Sequence, residues 1–413
     1  MLRRFQSTYT AFPRQFWLIA AGALASSAGS SLVWPFQFIY ISRTLALSLS
    51  TVATLISLSA CAGLAVSSIG GAIADRLGRK PVMVAAQAGY ALAWVLMSLA
   101  RSYLGFLAAL TLINACQPLY SVGSDAMMAD LVEPPRRPTG YSVLRIMNNA
   151  GIALGPAIGG WIVARSYPAA FRCAAVAMGG YSLLLLFRVR ESRPRCKGGP
   201  RPAARESVSG FRQVVRDRSF MLFAGLVTLG LVPPLMLWTL LALYTKQQFG
   251  LPEQLYAWLP MTNALMCVFV QLPVTRLTRG LRPLATLGLG MLIYAMGVGS
   301  VAVMGSFPGF WLSMVILTFG ELIVMPTGTA FVANRAPVAF RGRYMSVFWM
   351  TWGLARALAP LAGGLLSDHL GPRSVWIGGL LIGLVATLGL ALMARYQAQS
   401  APALASEEPS AIM

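Results

Sequence analysis

Long apolar runs divided by short charged segments dominate this chain, and they leave few folds open to it. Runs of about 20 residues or more recur near 15–41, 51–73, 82–100, 104–130, 139–163 and 169–187. They recur again near 219–245, 254–275, 283–304, 309–334, 344–367 and 374–394. A helix satisfies its own backbone hydrogen bonds and crosses the hydrocarbon core in about 20 residues, so each run predicts one transmembrane helix. With 57% hydrophobic and 11% charged residues and a mean hydropathy of +0.66, the 413-residue chain reads as an all-α membrane protein. The first run follows MLRRFQ and resembles a signal peptide, but from Phe16 to Ile41 it outlasts a cleavable apolar region and reads as an uncleaved span.

The net charge of +21 would suggest nucleic acid in a soluble protein. Here the bases fall in alternate segments. Arg76, Arg79 and Lys80, then Arg136 and Arg137, then a dense central stretch from Arg188 to Arg218, and then Arg276, Arg279 and Arg282 all share one side. That alternation predicts both termini and the central segment in the cytoplasm; the expected location is a bacterial inner membrane. The basic loops lack interleaved aromatics, so anionic lipid is expected there and nucleic acid is not. Five scattered cysteines and a lone His369 have no metal-ligand spacing, and no cofactor motif is present.

A repeat emerges at an offset of 204 residues. Phe16 maps to Phe220, Trp34 to Trp238, Tyr40 to Tyr244, Pro156 to Pro360, and Gly159-Gly160 to Gly363-Gly364. Six spans per half is an even number, so the halves share one orientation about a pseudo-two-fold axis along the membrane normal. The predicted organisation is a six-helix bundle over 1–187, a basic linker over 188–218 with an amphipathic stretch from Phe211, a second bundle over 219–395, and a disordered tail over 396–413.

Between the second and third spans stands GAIADRLGRK: Gly71, Asp75, Arg76, Gly78, Arg79 and Lys80 in ten residues. It reads as a charged turn at a membrane face. In the fifth span, Gly151, Gly155 and Gly159 recur every fourth residue with Pro156 and Gly160, a face that lets another helix approach closely. These two strings resemble the signature loop and the glycine-proline "antiporter" motif of the major facilitator superfamily, in particular its drug:proton antiporters. The resemblance covers Phe16 to Arg395. It implies that the Gly71–Lys80 loop is a conformational latch with Asp130 as partner, and that substrate binds between two rocking halves.

Charged residues inside spans are expensive and mark function by default. Glu321 and Arg356 lie mid-span, as candidate proton carrier and charge partner; Asp125 and Arg145 are further proton-coupling candidates. Asn114, Gln117, Ser121 and Asp125 form one polar stripe on the fourth span, and Gln117 is the repeat mate of Glu321. Trp34, Gln37, Asn149, Trp349 and Trp352 complete the candidate substrate cavity, with packing as their alternative role. Where many drug exporters of the superfamily carry an arginine in the fourth span, this chain reads Asn114-Ala115-Cys116-Gln117-Pro118.

The expectation is a proton-coupled transporter exporting small amphipathic molecules as a monomer. Its rivals are a symporter importing a metabolite and a non-transporting sensor or assembly factor. Without a phosphate-binding loop, a nucleophile–base pair or a metal site, an enzyme is not expected.

Overall fold

A computed structural model describes residues 12–133, 136–192, 214–278, 280–337 and 341–405, and all secondary structure in them is helical. Twelve passes follow one another. They are α1 (Arg14–Leu45), α2 (Leu49–Leu77), α3 (Arg79–Leu99), α4 (Tyr103–Leu131), α5 (Arg137–Arg165) and α6 (Tyr167–Arg188). The second six are α7 (Arg218–Phe249), α8 (Glu253–Phe269 continued by Gln271–Thr278), α9 (Pro283–Val303), α10 (Phe307–Arg335), α11 (Arg341–Leu370) and α12 (Ser374–Ala405). Ten are long and apolar enough to span a bilayer, and bent α8 makes eleven. The remaining pass, α11, is long enough at 30 residues but more polar, with Arg356 at its middle.

Proline explains two of the interruptions. Pro35 cannot donate to the preceding turn, and α1 tightens into a 3-10 turn at Trp34–Phe36. Pro273 removes the bond to Phe269, where α8 breaks and bends by 57°. Outward-facing apolar side chains such as Leu104, Val176, Phe187 and Leu277 cover the exterior. In water that much apolar surface would drive association; in a bilayer it meets acyl chains.

Each half packs within itself: α1 against α5, α3 against α4 and α6, then α9 against α10 and α12, and α7 against α11 and α12. The repeat is visible in its side chains. Tyr40 meets Phe106 edge-on with centroids 5.8 Å apart, and their mates at the 204-residue offset, Tyr244 and Phe310, meet edge-on at 6.4 Å. The halves join where α2 packs on α11 and α5 on α8, and Trp34 faces its own mate Trp238 at 5.6 Å across the axis.

Glycines set these contacts. A Cβ on Gly151, Gly155 or Gly159 would run into the α1 backbone at Leu24, Ala28 and Leu32. Gly160, one residue on, faces the other way: its Cβ would sit 2.9 Å from the Glu253 carbonyl oxygen at the head of α8. The mates divide the same tasks, Gly363 lying against Leu240 of α7 and Gly364 against Ser50 of α2, 2.8 Å from its Cα. Near the same face, opposite the one carrying the chain ends, Ser50 N–H donates to Asp368 Oδ2 at 2.9 Å. There too, the Tyr167 hydroxyl donates to Glu253 Oε1 at 3.0 Å, and Lys246 holds the other Glu253 oxygen at 3.0 Å. The interlock is therefore backbone-close, with a few polar ties.

Two expectations change. The charged string 71–80 is hardly a turn: α2 runs to Leu77, α3 starts at Arg79, and Gly78 alone separates them at φ 103°, ψ 159°, a conformation that only glycine adopts readily. The tail expected to be disordered from 396 remains helical to Ala405; glutamine and alanine at 397–399 propagate a helix already nucleated by the span. Residues 406–413, and the linker stretch 193–213 with Phe211, lie outside the described residues.

The two glycine contacts separate in their consequences. Gly155→Leu wedges α1 from α5 inside one half and should lower thermal stability in detergent by on the order of 1–3 kcal/mol. Gly160→Leu wedges one half from the other. It should leave the melting temperature nearly unchanged while raising the reactivity of an introduced Gln37→Cys, in a background lacking native cysteines, toward a membrane-impermeant thiol reagent.

Candidate functional site: a charged cavity between the halves

Between the halves lies a cavity of about 680 Å³. From α1 come Ser26, Ser27, Ser30, Ser31, Trp34 and Gln37; from α4, Asn114, Gln117, Ser121 and Asp125; from α5, Asn148 and Asn149. The second half contributes Trp238 and Thr239 of α7, Asn263 of α8, Glu321 of α10, and Trp352 and Arg356 of α11. The first-half wall is therefore rich in hydroxyls and amides with Asp125 toward one end, and the second-half wall carries Glu321 and Arg356 beside aromatics.

Glu321 stands at the middle of α10, equally far from Phe307 and Arg335. Asn263 Nδ2 donates to its Oε2 at 2.8 Å and lies 3.1 Å from Thr318 Oγ1. Arg145 of α5, from the other half, is the cation that acts most on the Glu321 charge. Arg356 faces Tyr90 of α3, whose hydroxyl pairs with Ser30 Oγ at 2.9 Å. The mid-span acid and base picked from the sequence thus share a cavity but serve different partners. Arg145 itself is off the wall, and Asp125 lies on it nearer the face of the chain ends.

Trp349 is the candidate that the cavity does not include: it is 48% exposed and packs edge-on against Phe348. A three-residue step leaves Trp349 and Trp352 about 60° apart around the helix, enough for one to face out and the other in. The α1 serines, Tyr90 and Asn263 are wall or support residues that sequence reasoning passed over. Their signal was the run Ser26-Ser27-Ala28-Gly29-Ser30-Ser31, small enough to leave the span apolar on average.

At the face of the chain ends, Arg79 Nε lies 3.2 Å from Asp130 Oδ2, and Ser192 Oγ donates to the same oxygen at 3.0 Å. Glu191, just beyond α6, caps α3 by accepting both the Arg79 and the Lys80 N–H at 3.1 Å. The surroundings of Gly71 and the side chain of Asp75 lie outside what the structure describes. The second half is tied differently. Asp217 caps α7 through the Phe220 N–H at 2.9 Å and accepts from Arg335 Nη2 at 3.2 Å and the Tyr344 hydroxyl at 3.1 Å, joining α7, α10 and α11. Partial burial pushes the Asp217 carboxyl up, but these donors outweigh it and hold the group below its ordinary value.

Known proteins decide the family. The Major Facilitator Superfamily model matches residues 19–360. This chain belongs to that superfamily. It is 27% identical to the uncharacterized MFS-type transporter YttB of Bacillus subtilis over 90% of this chain and 93% of that protein. It is 25% identical to a Na(+), Li(+), K(+)/H(+) antiporter of Planococcus maritimus, over 84% and 86%. Identity is also 25% to the multidrug resistance protein MdtH of Yersinia enterocolitica, over 78% and 80%. Among solved structures, a POT family transporter in complex with 5-aminolevulinic acid superimposes with a TM-score of 0.77 at 17% identity, covering 92% of this chain and 96% of that one. The protein is a multi-pass integral membrane transporter of this superfamily and not an enzyme.

The depressed Asp217 carboxyl gives a pH prediction. A group held below its unfolded value stabilises the fold at neutral pH, and that contribution is lost as pH falls through its folded value. Asp217→Ala should cost about 1–3 kcal/mol at pH 7, with much of it restored by Asp217→Asn, which can still cap. Melting curves of wild type and Asp217→Ala should converge as the buffer is acidified below the ordinary carboxylate range.

Proposed function

We propose that this protein is a proton-coupled exporter of small amphipathic molecules, a drug:proton antiporter working by alternating access. One observation carries the reading: an acid at the membrane midplane of one half, Glu321, lies on the shared cavity within the field of a cation of the other half, Arg145. Protonating Glu321 cancels that attraction across the moving interface, so proton occupancy and the relative position of the halves are linked. Substrate entering the cavity competes with the proton, and the halves rock about the glycine contacts of α5 on α8 and α2 on α11. Asp125 relays protons between Glu321 and the face of the chain ends.

The glycine-proline face of α5 and the antiporter and multidrug names of two relatives support export. The basic segments support cytoplasmic termini in a bacterial plasma membrane. The Arg79–Asp130 pair with the Glu191 cap acts as the latch on that side, holding α2, α3 and α4 as one unit while the halves rock. The unit is a monomer surrounded by anionic lipid; neither cofactor nor nucleic acid enters the cycle.

Purified protein in vesicles with an internal pH dye tests this. Addition of an amphipathic amine should drive proton movement opposite to the substrate. Glu321→Gln should abolish that movement to the level of empty vesicles while still binding substrate, and Asp125→Asn should slow it. Proton movement in the same direction as substrate would establish a symporter instead. Unchanged proton coupling in Glu321→Gln would remove the proton role from this residue. In an efflux-deficient host, expression should lower accumulation of the transported compounds.

A further inference from the structure

The cavity's two midplane charges are not used on each other. Glu321 takes its hydrogen bond from Asn263 and feels the charge of Arg145. Arg356, which lines the same cavity, has no ion pair or hydrogen bond among the described residues, and Tyr90 is its neighbour across the cavity wall. A guanidinium held at this depth without a counter-charge is costly, and an anion that arrives with the cargo removes the cost. The guanidinium fork fits a carboxylate through two parallel hydrogen bonds. A purely anionic cargo would meet the Glu321 carboxylate in the same small volume, and a purely cationic one would meet Arg356. A molecule bearing both signs satisfies both.

We infer that the transported molecule is an amphipathic zwitterion, its carboxylate bound by Arg356 and its ammonium bound by Glu321, with its apolar body against Trp34 and Trp238. This rests on the reading of the cavity as the substrate path. It also gives the two charges separate tasks. The ammonium and the proton compete for Glu321, which supplies antiport coupling; the carboxylate adds affinity at Arg356 without entering the proton exchange.

The test is calorimetric titration of the purified full-length protein with para-(aminomethyl)benzoic acid and its biphenyl homologue, which span two charge separations. Each is compared with its methyl ester, a cation, and its N-acetyl derivative, an anion. At least one zwitterion should bind about tenfold or more tightly than both of its singly charged derivatives. Arg356→Gln should reduce that zwitterion to the affinity of its ester, Arg356→Lys should retain part of the preference, and Glu321→Gln should reduce it to the affinity of its N-acetyl derivative. The comparison within wild type stands even if a variant fails to fold. If neither zwitterion exceeds its derivatives, or if the advantage survives Arg356→Gln in a monodisperse preparation, the inference is overturned. Esters that drive proton exchange without any zwitterion preference would sink this inference alone. A zwitterion preference without proton movement would sink the coupling and leave the substrate class standing.

Discussion

The two halves of this transporter meet at two places where backbones nearly touch. Gly160 lies on the head of α8 and Gly364 on the head of α2, each with no room for a Cβ, and the two sites are related by the internal repeat. Contacts of this kind need no desolvated charge and no long side chain to be ordered, so they can separate at small cost. They also demand close fit, which limits the halves to a few packed arrangements rather than a continuum. Gly159 and Gly363, next in sequence, bind the same helices to their own halves. Adjacent glycines thus give one helix a side packed within its own half and a side packed on the other half.

The cavity behind this seam is asymmetric although the scaffold is not. Gln117 and Glu321 are repeat mates on α4 and α10, yet one is a neutral amide and the other a carboxylate. Mutual neutralisation of Glu321 and Arg356 would have produced a dry structural pair. Instead Asn263 orients the carboxylate, and Arg145 influences it from across the seam. A charge that draws on a partner in the opposite half has an energy that depends on how the halves sit, which is the requirement for linking a proton to a rocking motion.

The twelve passes and their repeat were legible because the bilayer removes alternatives: a run of apolar residues there can only be a helix. The glycine-proline face was legible as a motif, but not which helix each glycine would meet, since 159 and 160 point to different neighbours. Charge partners were the least legible. Arg356 and Glu321 were natural mates in a list of mid-span charges, whereas the fold delivers Arg145 to the acid and Tyr90 to the base. The polar wall of α1 was hidden by the small size of serine. The capping role of Glu191 was hidden by distance, 112 residues separating it from Arg79.

The string 71–80 shows how a motif can be recognised and its physics misjudged. As a turn it would hold charges loosely at the surface. As two helices meeting at Gly78 alone, it delivers two unsatisfied N–H groups to one carboxylate, and Glu191 takes both. Because that carboxylate follows directly on α6, and because Arg79 reaches Asp130 at the end of α4, one residue in a glycine-only conformation gathers four helices of the first half. The second half gathers α7, α10 and α11 around Asp217 by other residues at the same face. Each half thus has its helix ends tied together at this face, while the contacts between the halves lie at the glycine seam.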